Sequence, residues 1–409
     1  MLINIDYLFV YVSAYPGMDM HSNIHNRKKA KIVKKVINKH LKKKILVKEA
    51  PNSYFDKNEI LNPLFGAISS RDFIESYVED LRENRYNIPS GDTIFYRLKD
   101  IKLSDVKNCF YSTNEEILRE IEKIGLLDRP IDRGIDCHDT GWFGKNEKHT
   151  YGTKQIRGTN YAHRYMSIES LTENLRLTFH ALPMNQFTSK SECLKELLIT
   201  TKKWLKKGGI NHLDRGFFDV EAISVFQELN EDFIIAAKRN IKIDRIEREV
   251  KGQSEIVPRQ YIPNKLRQKR ATYGFYVEPY TMKKGKRSVT FNLVFVFVQY
   301  EEPQKKDETF IFATNLKVDC KNVLLLSEGY RKRWGIETGY RVKKEVKGKT
   351  CSPNYVIRVL FQMLSILLYN LWVLCNILLS GIIFVKKGYP ISMCKFRKIL
   401  CKIIINNIS

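Results

Sequence analysis

The sequence has no Cys-x-x-Cys pair, and none of its eight cysteines stands near a histidine at zinc-finger spacing. That excludes a zinc module and offers no disulfide framework, so the thiols read as free groups in a reducing compartment. Near the N-terminus an acid, Asp6, stands where a secretory leader would carry basic residues, which predicts a cytoplasmic chain. Glycine (21) and proline (12) are too sparse for a collagen-like or linker-like protein, and no internal repeat is present. Negative charge is also short: 45 Asp and Glu stand against 70 Lys and Arg, a net charge of +25. A small neutral metabolite has no use for that excess. A polyanion does, either a nucleic acid through counterion release or an anionic membrane surface.

What is present is enough apolar material for a large core. At 409 residues and 43% hydrophobic, the chain suits two or three domains. Residues 359–385 run without a formal charge between Arg358 and Lys386-Lys387. By length the run qualifies as a transmembrane helix. Gln362, Ser365, Asn370, Asn376, Ser380 and Gly381 interrupt it, which favours a buried core helix instead.

The positive charge is unevenly placed. Residues 27–48 hold eleven basic residues and no acid, with Ile32, Val33, Val36 and Ile37 at amphipathic-helix spacing. So lopsided a face favours contact with phosphates. Ile74, Tyr77, Val78 and Leu81 follow i, i+3, i+4, i+7 and predict a helix over 71–84. Ser90 is an N-cap candidate for a second helix carrying Arg97 and Lys99. The pair has the outline of a helix-turn-helix, a weak signal because most helix pairs bind nothing.

From about residue 130 the pattern alternates. Strands are expected at 131–137, 161–168 and 175–182, a helix at 193–207, a strand at 210–213, a helix at 220–229 and a strand at 233–237. The order β-β-β-α-β-α-β is that of a ribonuclease H-like core before its last helix. Long antiparallel strands follow at 273–280, 288–300 and 309–315, and helix returns from 323 past Lys344. The fold class is therefore α/β, with a basic helical region at 1–125 and the core's first part at 126–240. A β-rich insertion at 241–322, the core's C-terminal helices at 323–387 and an unassigned tail at 388–409 complete it.

Tyr330, Arg333, Glu337 and Lys344 lie within the run YRKRWGIETGYRVKK. In one continuous helix they share an arc of ~60°, with Arg341 on the same face. One carboxylate ringed by cations and a phenol reads as a metal ligand beside phosphate-holding side chains. Mg²⁺ takes further oxygen ligands. Candidates are Asp214, where a strand turns through Arg215-Gly216, and Asp136 or Asp139 in GIDCHDTGWFG.

The spacing Tyr330-(2)-Arg333-(3)-Glu337-(6)-Lys344 resembles the Y-(2)-R-(3)-E-(6)-K signature of DDE transposases of prokaryotic insertion sequences, in the large group numbered four. DRGFF at Asp214 is similar to that group's second-aspartate motif, and IDCHDTGWFG to the first. The resemblance covers about residues 125–385. It implies a ribonuclease H-like catalytic domain with a β-strand insertion between the second Asp and the Glu, here 122 residues apart, and a core role for the apolar run. It also implies that Asp136 (with Asp139 as the alternate), Asp214 and Glu337 hold two Mg²⁺ or Mn²⁺ ions for in-line displacement at a phosphodiester. Tyr330, Arg333, Lys344 and Arg341 would hold DNA phosphates. The partners implied are the element's terminal inverted repeats and target DNA, bound by a homodimer with no membrane, in a prokaryotic cytoplasm beside the nucleoid. Relatives that pass through a DNA hairpin use a Trp in the insertion, and residues 241–322 contain none. A DNA-binding protein without catalysis and a membrane-anchored basic protein are the competing readings.

Overall fold

The structure, a computed structural model, describes residues 20–41, 47, 52–84, 86–156, 158–172, 175–206, 208–380 and 389–408. Asp6, Lys42, Lys43, Lys44, Lys48, Gly381, Lys386 and Lys387 lie outside the described residues, so the readings placed on them have no structural counterpart.

Strands β1 (Arg133–Trp142), β3 (Thr159–Ser170) and β4 (Thr178–Met184) form an antiparallel trio, with the short β2 (Tyr151–Ile156) on the outer edge of β3. Helix α6 (Lys190–Thr201) leads to β5 (Asn211–Leu213), which pairs parallel to β1. Helix α7 (Val220–Leu229) then leads to β6 (Phe233–Ala236), parallel to β5. Apart from β2, this is the order expected from periodicity.

Helix α8 (Ile241–Val250), β7 (Glu255–Ile256) and α9 (Asn264–Arg267) come next. The charged turn at Lys284–Arg287 then folds β8 (Ala271–Lys284) onto β9 (Arg287–Tyr300), and β10 (Glu308–Thr314) pairs with both β9 and β6. The result is a mixed ten-stranded sheet in which the β-rich stretch extends the same sheet beyond β6.

The N-terminal helices α1 (Met20–His40), α2 (Lys57–Ser70), α3 (Ile74–Glu83), α4 (Gly91–Leu98) and α5 (Leu103–Glu122) pack with α12 (Tyr355–Ser380) and α13 (Met393–Ile408). The tail left unassigned from sequence is this last helix. In α1 the apolar stripe Val33, Val36, Ile37 and Leu41 is buried, while Arg27, Lys28, Lys31, Lys34 and Lys35 face solvent. Lys39 pairs with Glu120, so part of the basic face serves helix packing. Ser90 caps α4 by accepting from the Thr93 N–H, as its sequence position suggests.

Helix α12 is the only described helix long and apolar enough to cross a membrane, and 83% of its most apolar window is buried inside the protein. Its polar residues show why it belongs there. Asn370 accepts from the Thr178 N–H at 3.1 Å and donates to the Thr178 carbonyl at 2.8 Å, tying α12 to β4. Asn376 likewise accepts from the Ile391 N–H at 2.7 Å. A lipid-facing surface has no such backbone partners to offer.

Candidate active site

Parallel pairing of β1 with β5 ends at Ile135 opposite Leu213. The next residues are Asp136 and Asp214, so the two carboxylates emerge side by side at the C-terminal limit of the parallel strands. Asp214 opens a 3₁₀ turn (Arg215–Phe217) and accepts from the Gly216 N–H at 2.9 Å. Asp136 accepts from the Cys137 N–H at 2.8 Å and faces the Arg333 guanidinium at 3.4 Å. Burial and the Asp214 charge push the Asp136 carboxyl up to about 7, against the pull of Arg333. A neighbouring carboxylate and burial thus hold Asp136 toward its neutral form.

Arg333 arrives from α10 (Val323–Arg331) and α11 (Trp334–Lys344), which differ from the expected continuous helix. Between them Lys332, Arg333, Gly335 and Ile336 donate to carbonyls three residues back rather than four. Bonds of that spacing overwind the chain relative to an α-helix, so residues after the junction no longer keep the phase of those before it. Tyr330 and Arg333 face a cleft of about 760 Å³ that also receives Asp214, Arg215, Arg239 and Arg331. Burial raises the Tyr330 phenol, with Asp214 adding to it and Arg333 opposing. Trp334, 67% exposed, stands on the rim.

Beyond the junction, α11 lays Ile336, Gly339, Tyr340 and Lys343 onto β1 and β3, an i, i+3, i+4, i+7 stripe. Gly134 makes room for this: a Cβ there would overlap the end of Ile336, with Cγ1 only 2.8 Å away. The Tyr340 hydroxyl meets Ser167 Oγ at 2.9 Å, and Lys343 pairs with the buried Glu169. Glu337, Arg341 and Lys344 are consequently exposed on the outer side of the helix. The structure thus brings together Asp136, Asp214, Tyr330 and Arg333, and leaves Glu337, Arg341 and Lys344 apart from them. The inward residues Glu169, Tyr340 and Lys343 escaped the sequence reading. The signal that marks them is the small-residue pair Gly134 and Gly339, which announces a close helix-on-strand contact.

The two candidates for a first aspartate are separated by the strand itself. Positions 136 and 139 differ by an odd number, so in β1 they point to opposite faces. Asp139 is held on the far face by its cross-strand neighbour Arg164 through two bonds of 2.8 Å. Asp139→Asn is expected to cost about 1 kcal/mol of stability, which a melting curve checks.

Asp136 and Asp214 fit a divalent cation: Mg²⁺ is commonly held by one or two carboxylates together with substrate phosphate, and a cation would relieve their repulsion. Among the described residues no three His, Cys, Asp or Glu side chains converge on one point. Glu337 therefore does not complete a three-carboxylate set in this conformation.

A family model described as "Transposase DDE domain" matches residues 134–371, more than half of the chain. The cryo-EM structure of the piggyBac transposase synaptic complex with hairpin DNA aligns at a TM-score of 0.49 and 13% identity, over 94% of this chain and 79% of that one. No curated protein matches in sequence.

Proposed function

Because the chain belongs to the family of transposase DDE domains, we propose that it is a transposase of the prokaryotic insertion-sequence type. In this reading a ribonuclease H-like core cleaves DNA at the ends of an element and joins them to target DNA. The observation that carries it is the side-by-side placement of Asp136 and Asp214, the latter lining an arginine-rich cleft. Asp136 and Asp214 would hold Mg²⁺ or Mn²⁺, and Glu337 would have to turn inward from its exposed position on α11 to join them as the third carboxylate of a two-ion site. When bound, the metal would supply the charge that lowers the pKa of an attacking hydroxyl and stabilises the leaving oxygen. The protein's own part is positional. Arg333 and Tyr330 would steer a phosphate toward Asp214, and Arg215 would draw the strand into the cleft, whose other arginines, Arg239 and Arg331, are paired with Glu247 and Glu328. Arg341 and Lys344, exposed on α11, would contact phosphates of the same duplex. Two copies synapsing two ends in the cytoplasm, at the nucleoid, complete the proposal.

The test is cleavage of DNA carrying the inverted repeats that flank the gene. With Mg²⁺ the wild-type chain should nick at the repeat ends, and Glu337→Ala should abolish nicking while binding persists. The second reading, a DNA-binding protein without catalysis, draws on the outward position of Glu337. Salt-dependent binding with no Mg²⁺-dependent nicking would establish it in place of the first.

A further inference from the structure

One cationic cluster is used by neither the acidic pair nor the cleft. On β1 the residues Asp136, His138 and Thr140 share the face that α11 covers, by the strand's two-residue period. Tyr340 stacks on His138 at 4.5 Å, and two residues further the Lys347 ammonium donates to the Thr140 hydroxyl at 2.9 Å. Arg358, from the first turn of α12, lies 4.5 Å from the Trp142 ring and is held by the Ser352 carbonyl at 2.8 Å. Lys344 is exposed beside them. Among the described residues, no salt bridge reaches Lys344, Lys347 or Arg358, whereas Arg333 and Lys343 of the same segment are both paired. The charges acting on Lys347 are Lys344 and Arg358, both cations. Together with burial they push its ammonium down to about 7.

Half-buried like charges whose direct partners are a hydroxyl, a carbonyl and a ring are unfavourable on their own, with Glu147 acting on Arg358 as the acid in their surroundings. An anion seated among them would reverse that. We propose that Lys347 and Arg358, with the Thr140 hydroxyl, form a second phosphate site that grips the DNA backbone beside the acidic pair. Thr140 lies four positions along β1 from Asp136, ~13 Å at the usual rise. The inference rests on the DNA-acting reading above, and it assigns a role to residues outside the YREK spacing.

The test is the salt dependence of binding to a labelled duplex oligonucleotide of arbitrary sequence, measured with the full chain without divalent metal. Lys347→Met should weaken binding several-fold at low salt and reduce the slope of log K against log[salt] by about one. Lys347→Arg should restore both. Arg358→Gln should lower the slope equally, and it carries the test if Lys347→Met does not fold. Lys39→Met removes an ammonium already paired with Glu120 and should leave the slope unchanged. Unchanged slopes in both niche variants, with wild-type binding intact, would overturn the niche and spare the transposase reading. An equal fall in Lys39→Met would show a net-charge effect and overturn it too. A wild-type chain that shows no salt-dependent binding would overturn both.

Discussion

Asp136→Asn is expected to abolish Mg²⁺-dependent DNA cleavage, by ~10³-fold or more, while making the metal-free protein more stable above pH 7. The loss follows from the chemistry: a metal ligand in a displacement site is worth several kcal/mol, and each 1.4 kcal/mol is tenfold in rate. The gain follows from linkage. Asp136 has an ordinary pKa of 3.8, and in the fold burial and Asp214 lift it to about 7. Below about pH 4 the carboxyl is protonated whether folded or unfolded, and it does not affect stability. Between about 4 and 7 the folded chain keeps a proton that the unfolded chain has released, so stability falls as pH rises. Above 7 the full penalty is present, on the order of a few kcal/mol. Asn carries no charge to desolvate, and Arg333 keeps Tyr330 and Asp214 as neighbours in the variant. Thermal melting from pH 5 to pH 8 without metal should show the two proteins diverging, with the variant higher at pH 8. Added Mg²⁺ should raise the wild-type midpoint by mass action and the variant's by much less. A variant that melts lower than wild type at pH 8, or still cleaves, would remove Asp136 from the site.

The contrast between Asp136 and Glu337 shows what was legible in the sequence. Asp136 and Asp214 each lie at or near the end of a short expected strand, and parallel pairing of those strands suffices to bring them together. Strand order, the charged turn between β8 and β9 and the buried polar helix α12 were likewise readable, because each depends on local periodicity or turn chemistry. The arc through Tyr330, Arg333, Glu337 and Lys344 assumed one helical phase across the 15 residues 330–344, from the end of α10 through α11. Four bonds to carbonyls three residues back break that phase at Lys332–Ile336. The local sequence signals such a break only through Gly335, since the run contains no proline. Its cause is tertiary: Ile336 seats over Gly134 and Lys343 reaches Glu169, which fixes the inward stripe of α11 independently of α10. The basic block was half legible for a similar reason. Composition records charge, and only packing reveals that α1 spends its apolar stripe and Lys39 on neighbouring helices.

Lys343→Met should be the most destabilising single change near the site, at about 3–5 kcal/mol. Lys343 and Glu169 are 3% and 2% exposed, so neither can turn to water. Burial draws the Lys343 ammonium below its ordinary pKa and the Glu169 carboxylate opposes that shift, which is the balance of a pair whose members depend on each other. Removing the cation strands Glu169 in the core, with Ser167 Oγ at 3.1 Å as its remaining donor. Glu169 also faces Asp136 and adds to the forces raising it. The stranded charge therefore acts on the site as well as on the fold. Replacing both partners separates the two effects, because a buried pair exchanged for neutral groups of similar size is often close to neutral in stability. In Glu169→Gln with Lys343→Met, the Gln oxygen still accepts from Ser167 and no charge remains to be desolvated. The double variant should recover most of the lost melting temperature. It should also recover cleavage, since α11 would again lie on β1 and carry Arg333 to Asp136. If the single variant melts like wild type, Glu169 and Lys343 are not buried against each other, and α11 is not docked as described. If the double variant regains stability without activity, the charge of the pair itself is needed to set Asp136, and the positioning of α11 is not sufficient.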